Sequence, residues 1–112
     1  MNELSALVEQ IGALVDADDP TQLRRETVER TLTDGYAYAL VLEGESLRIE
    51  REIALSVEGI KRGDSSAGLA ELAERLAANE RDLTRLRRVL RMLHRRLEGL
   101  GDVQRQAALE RA

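Results

Sequence analysis

The sequence predicts an all-α protein in which a short N-terminal helix packs on a long, coiled-coil-like antiparallel helical hairpin. Apolar residues recur at alternating steps of three and four along two long segments, which is the spacing of a helical seam. Aromatic residues make up only 2% of the 112 residues, and Phe and Trp are both missing. The core must therefore come from Leu, Ile, Val and Ala, which suits helices better than β-sheets. A chain of this length is expected to form one domain, residues 1–112.

The first helix is predicted over residues 2–17, where apolar residues at helical spacing form one face. That face contains Leu4, Leu7, Val8, Ile11, Leu14 and Val15. Asp18-Asp19-Pro20 ends this helix and starts the next, because Asp19 can cap a helix and Pro20 suits its first position.

The second helix is predicted over residues 20–60, although residues 36–57 allow two interpretations. Their apolar residues partly alternate with polar ones, and residues 43–46 resemble a hairpin turn, which is typical of a β-hairpin. At helical spacing the same segment continues a seam that matches the last helix in length. A short β-hairpin would leave leucines of that last helix uncovered, so we favour the helix. The alternative is an α+β fold with a β-hairpin at residues 36–57.

The last helix is predicted over residues 67–100, where leucine fills nine of ten positions of an unbroken heptad repeat. The positions are Leu69, Leu72, Leu76, Asn79, Leu83, Leu86, Leu90, Leu93, Leu97 and Leu100. After Gly99 the periodicity fades, so residues 101–112 are expected to be a frayed tail or a short docking helix.

Folding the two seams back on each other predicts which residues meet. Gly35 should face Leu93 and Ser46 should face Leu83, so that small residues meet large ones. At the rims, Glu52 should lie near Arg75. The layer around Ser46 and Asn79 is polar and is predicted to be the weakest.

The sequence contains no motif that predicts a catalytic residue, a cofactor or a metal site. The chain has no cysteine, which excludes disulfides and thiolate chemistry. His94 is its one histidine, and no serine lies in a nucleophile-elbow context. Glu45, Glu50, Glu80 and Asp82 could offer oxygen ligands to a divalent cation, but a solvated acidic rim is the simpler interpretation.

An arginine row is predicted on the last helix, opposite its leucine seam, within residues 81–96. Its members are Arg81, Arg85, Arg88, Arg91 and Arg95. Such a row can follow a phosphate backbone. The net charge of −4 and the scarcity of aromatic residues count against nucleic acid, and acidic residues among positions 1–20 can instead compensate the arginines. An acidic protein partner is a third interpretation.

Surplus apolar residues on the second helix predict self-association. They point away from the last helix and are Leu40, Val41, Leu47, Ala54 and Leu55. The first helix is too short to cover them all, so a C₂ homodimer that completes a larger bundle is the simplest solution. The alternative is a monomer with exposed leucines.

These patterns together predict a non-catalytic interaction module, such as an adaptor, scaffold or assembly factor, that acts through coiled-coil homodimerisation. Nucleic-acid binding by the arginine row is the alternative function. The N-terminal residues do not resemble a secretory signal, and the apolar run at residues 36–42 is too short to cross a bilayer. We therefore expect a cytoplasmic protein without a membrane partner, and the preference for arginine over lysine is typical of a GC-rich bacterial genome.

Overall fold

The computed structural model describes residues 3–16 and 24–111, except for the side chains of residues 103 and 104. The described residues form three α-helices and no strand: α1 (Glu3–Val15), α2 (Arg25–Lys61) and α3 (Leu69–Arg111). Residues 36–57 lie inside α2. The all-α prediction is therefore confirmed, and the alternative with a β-hairpin is wrong. Helical spacing prevails because it places the seam residues of α2 on one buried face: Val28, Leu32, Ala39, Leu42 and Ile49.

The first two helices differ slightly from the predicted bounds. α1 was predicted over residues 2–17 and is helical over Glu3–Val15. α2 was predicted from residue 20, and in the described residues it begins at Arg25. The predicted cap at Asp19 and the start at Pro20 lie outside the described residues.

α3 continues well past the predicted end at residue 100. Residues 101–111, predicted as a tail, extend this helix to Arg111. Each glycine in a helix interior costs about 1 kcal/mol relative to alanine, which is why Gly99 and Gly101 suggested an end. Leu100 lies between them and is only 5% exposed, so its burial offsets that cost.

Two glycines with positive φ build the turn between α2 and α3. At Gly63 (φ +98°), α2 ends in a Schellman motif. The Asp64 amide donates to the Gly59 carbonyl at 2.9 Å, and the Gly63 amide donates to the Ile60 carbonyl at 3.0 Å. Gly68 (φ +92°) precedes α3.

The chain divides into two compact units, and the first comprises Met1–Tyr38 and Leu86–Ala112. It contains α1, the beginning of α2 and the end of α3. Gln10 on α1 donates from Nε2 to the Thr31 Oγ1 of α2 at 3.5 Å. The buried apolar residues of this unit are Leu4, Val8, Ile11, Val28, Leu32, Leu86, Leu90, Leu93 and Leu100. Three helices thus share one core.

The second unit, Ala39–Arg85, contains the end of α2, the turn and the beginning of α3. Ala39, Leu42, Ile49 and Leu83 are its buried apolar residues. Seam positions nearer the turn are only half-buried: Ile53, Ile60, Leu69, Leu72 and Leu76. Two helices cover each other less completely than three, which explains the difference in burial.

The pairing of α2 with α3 differs from the predicted register by about one helical turn. A methyl group on Gly35 would overlap Leu90 rather than Leu93. In the second unit, the Asn79 Nδ2 donates to the Ser46 Oγ and to the Leu42 carbonyl, both at 2.7 Å. Ser46 therefore pairs with Asn79 rather than with Leu83, because a buried polar group is stabilised by a polar partner.

One predicted ion pair at the rim is present in this register. The Arg75 guanidinium lies 3.6 Å from a carboxylate oxygen of Glu52, as predicted, and 3.6 Å from one of Glu45. All three side chains are partly exposed, so the expected contribution of each pair is below about 1 kcal/mol.

Candidate interaction surface

The outer face of α2 in the second unit carries the predicted dimer residues. Leu40, Val41, Leu47 and Leu55 are 67%, 65%, 54% and 72% exposed, and Ala54 is exposed as well. The buried residues of this helix lie on its opposite face, toward α3. We call the face formed by Leu40, Val41, Gly44, Leu47, Arg48, Arg51, Ala54 and Leu55 the outer stripe.

Helix geometry divides the outer stripe into two edges and a centre. Residues seven apart lie on one line of a helix. Leu40, Leu47 and Ala54 form one edge. The other edge is formed by Val41, Arg48 and Leu55, and Gly44 and Arg51 lie between the edges.

The large apolar residues of the outer stripe lie on one face of α2 and are each more than half exposed. A single exposed leucine is ordinary on a protein surface, whereas contiguous apolar side chains mark an interaction site. Full burial of one such side chain contributes about 1.5–3 kcal/mol. Four large, mostly exposed apolar residues on one face therefore represent a substantial driving force.

Arg48, on one edge of the outer stripe, has its charge compensated within its own chain. Its guanidinium donates to the Glu45 carboxylate one helical turn earlier, and this hydrogen bond raises the pKa of Arg48. Glu45 also contacts Arg75 of α3. Arg48 can thus lie in an apolar contact with a smaller electrostatic cost than an unpaired cation.

Arg51 and Gly44 give the centre of the outer stripe an uneven surface. Arg51 is exposed and forms no ion pair with a described residue. Gly44 is exposed, and a methyl group placed on it would meet no described atom within 4 Å. The sequence prediction did not include either residue, although their spacing of seven on the apolar face was a usable signal.

The arginine row on α3 is exposed to solvent. Arg81, Arg85, Arg88, Arg91 and Arg95 are all exposed, the first two in the second unit and the others in the first. Within residues 3–16 and 24–111, none of them forms an ion pair. Within the first unit, the described acidic residues of α1 therefore do not pair with Arg88, Arg91 or Arg95. Asp18 and Asp19 lie outside the described residues.

His94 lies in an open groove of the first unit, not in an enclosed pocket. Its side chain is 51% exposed, and its Nδ1 lies 3.4 Å from a carboxylate oxygen of Glu98. Arg25, Asp102 and Arg105 also line the groove, and Arg105 contacts Asp102. The charged side chains of this groove are therefore open to solvent.

The acidic residues considered as cation ligands are not gathered into one site. Among the described residues, no three His, Cys, Asp or Glu side chains are placed to bind a metal ion together. Glu45 contacts Arg48 and Arg75 instead.

Two further findings concern membrane-spanning helices and similarity to known proteins. In the part of the chain that the structure describes, no helix combines the length and the apolarity needed to cross a membrane. Comparison with protein-family models, curated proteins and solved structures finds no match to this chain.

Proposed function

We propose that this protein is a non-catalytic interaction module, an adaptor, scaffold or assembly factor, that forms a homodimer through the outer stripe of α2. The observation that carries the proposal is the exposure of Leu40, Val41, Leu47 and Leu55, each more than half open to solvent on one helix face. A second copy offers an equal apolar face, so association removes both from water.

The size of the outer stripe indicates a moderate affinity. Residues 40–55 of a helix extend over about 24 Å. The contact is one helix wide, so we expect it to be smaller than the roughly 800 Å² per partner of a typical stable interface. We therefore expect a dimer that dissociates on dilution.

Leu47→Glu tests the proposal at the middle of the outer stripe. A buried, unpaired carboxylate in the contact is strongly unfavourable, so the variant should be monomeric by light scattering at concentrations where the unmodified protein is dimeric. Circular dichroism should show unchanged helix content, because Leu47 is exposed within its own chain.

Leu109→Glu is the matched control. Leu109 is also an exposed leucine, at 72%, but lies on α3 outside the outer stripe, so this variant should remain dimeric. A dimeric Leu47→Glu variant, or an unmodified protein that is monomeric at every concentration, would contradict the proposal.

The arginine row supports a second candidate function, binding to nucleic acid. Its five exposed guanidinium groups lack ion-pair partners among the described residues, so they are open to phosphate groups. Each phosphate neutralised should steepen the salt dependence of binding by about 0.9 logarithmic units per tenfold change in salt.

Fluorescence anisotropy with labelled duplex DNA at low and moderate salt tests this candidate. Binding should weaken steeply with salt and disappear when Arg81, Arg88 and Arg95 are all replaced by glutamate. Replacing the exposed Arg24, Arg30 and Arg62 by glutamate makes the same change in net charge outside the row. If DNA does not bind at low salt, nucleic-acid binding is ruled out. The row then either binds an acidic protein partner or is simply solvated.

A further inference from the structure

We infer that the two copies pair through α2 in antiparallel orientation, with the two-fold axis beside Leu47 and with Arg51 of each copy lying over Gly44 of the other. This inference rests on the proposed homodimer and specifies its geometry. It follows from the order of large, small and charged residues along the outer stripe.

A two-fold axis between antiparallel helices brings each edge of the outer stripe against the same edge of the other copy. With the axis beside Leu47, the two Leu47 side chains meet and Leu40 meets Ala54. On the other edge, Val41 meets Leu55. Each large apolar side chain then has an apolar partner, and the longer leucine is placed against the small alanine, which favours dense packing.

The centre of the outer stripe supports the same register. Gly44 of one copy then faces Arg51 of the other. Because Gly44 has open space where a side chain would lie, the aliphatic stem of Arg51 can pack on its backbone. The guanidinium then comes close to Glu43 beside that glycine, so opposite charges approach each other.

The two Arg48 side chains come together near the axis in this arrangement. Each is already bonded to Glu45 of its own chain, so the charge that meets across the axis is compensated. Glu45 of each copy approaches Glu52 of the other at the outer margin, and the Arg75 guanidinium lies 3.6 Å from a carboxylate oxygen of each of these residues in its own chain. The internal ion pairs therefore reduce the like-charge repulsion of an antiparallel contact.

A parallel pairing fits these residues less well. By two-fold symmetry each edge would then meet the opposite edge at the same height, so Leu47 would face the charged Arg48. The unpaired Arg51 would face a second Arg51. A second antiparallel register, with the axis at Gly44, would leave Leu55 without an apolar partner from the outer stripe.

Single-cysteine cross-linking tests the inference, because the chain contains no cysteine of its own. A disulfide forms only when the two Cα atoms approach within about 7 Å. Leu47→Cys should therefore give a covalent dimer under mild oxidation, whereas Leu40→Cys and Leu55→Cys alone should stay monomeric on a denaturing gel. A mixture of Val41→Cys and Leu55→Cys proteins should cross-link to each other.

Three results would overturn this geometry. Cross-linking of Leu40→Cys as readily as Leu47→Cys would indicate parallel helices. Cross-linking of Gly44→Cys without that of Leu40→Cys would indicate the antiparallel register centred on Gly44. Failure of Leu47→Cys to cross-link while light scattering still finds a dimer would place the contact elsewhere. A failure of the dimer itself is distinguishable, because the unmodified protein would then be monomeric by light scattering.

Discussion

Asn79 determines, with one side-chain amide, which residues of α2 and α3 meet in the second unit. It donates to Ser46 and to the Leu42 carbonyl at 2.7 Å, and Ser46 is only 6% exposed. A shift by one turn would place these polar groups against leucine and leave them without partners, at a cost of about 1–3 kcal/mol. A polar residue in an otherwise leucine seam thus specifies register at some expense of stability.

We expect Asn79→Ala to lower the free energy of unfolding by about 1–3 kcal/mol, because the Ser46 hydroxyl loses its partner. Urea unfolding followed by circular dichroism measures this change. A double-mutant cycle with Ser46→Ala should give a coupling of about 1 kcal/mol. Gln106→Ala, at an exposed position of α3, should change little. Purely additive effects of the two core variants would show that the hydrogen bond does not contribute.

Glycines inside the helices have opposite effects on stability, depending on whether another side chain packs against them. At Gly35 an added methyl group would overlap Leu90, which is 1% exposed, so this glycine permits close packing. At Gly99 the same group would meet no described atom within 4 Å. Gly99 therefore lowers helix stability without a packing benefit from the described residues.

Alanine substitutions at these two glycines should change stability in opposite directions. Gly99→Ala should raise the free energy of unfolding by up to about 1 kcal/mol through helix propensity. Gly35→Ala should lower it, because overpacking typically costs about 1–3 kcal/mol and exceeds the gain in propensity. Urea unfolding of both variants provides the comparison. Equal stabilisation by both would mean that Leu90 can move away at little cost.

At the scale of the element, the leucine seam of α3 is uniform in sequence but not in burial. Leu86 is fully buried in the three-helix unit, whereas Leu72, near the turn, is half-buried between two helices. The same residue type at the same heptad position therefore contributes differently, because the number of covering helices differs along α3.

Leu86→Ala should destabilise the protein by about 2–5 kcal/mol, as is usual for a buried leucine. Leu72→Ala should cost less, since that side chain is already partly in contact with water. Thermal unfolding and urea unfolding of the two variants test the difference. Equal losses would imply that Leu72 is covered in solution, for example by another copy of the chain.

The helices themselves were predictable from the sequence, but the register in which α2 and α3 pair was not. Periodicity identifies α2 and α3 because every turn repeats the same apolar face. The register depends on Ser46 and Asn79 finding each other, and the seam pattern alone fits several shifts of one turn equally well. The end of α3 was missed for a related reason, since Gly99 and Gly101 suggested an end that the burial of Leu100 overcomes. The outer stripe was predictable as surplus apolar residues. The open space at Gly44 and the exposure of Arg51 at its centre could be recognised only from the structure.

At the scale of the whole molecule, a proposed dimer of moderate affinity links stability to protein concentration. A partner that binds only the folded chain stabilises it by mass action, so the Tm rises with concentration. A monomer shows no such dependence. The net charge of −4 opposes association of two copies only weakly at physiological salt, where exposed charges are screened within about 8 Å.

Thermal unfolding over a hundredfold range of concentration should therefore separate the unmodified protein from Leu47→Glu. The Tm of the unmodified protein should rise by several degrees, because each tenfold increase in concentration above the dissociation constant adds up to about 1.4 kcal/mol. The Tm of Leu47→Glu should stay constant, since its outer stripe carries a carboxylate that a second copy cannot cover without desolvating it. A concentration-dependent Tm in both proteins would show that association uses another surface. The half-buried seam near the turn would then be the next candidate, because its apolar residues remain partly exposed.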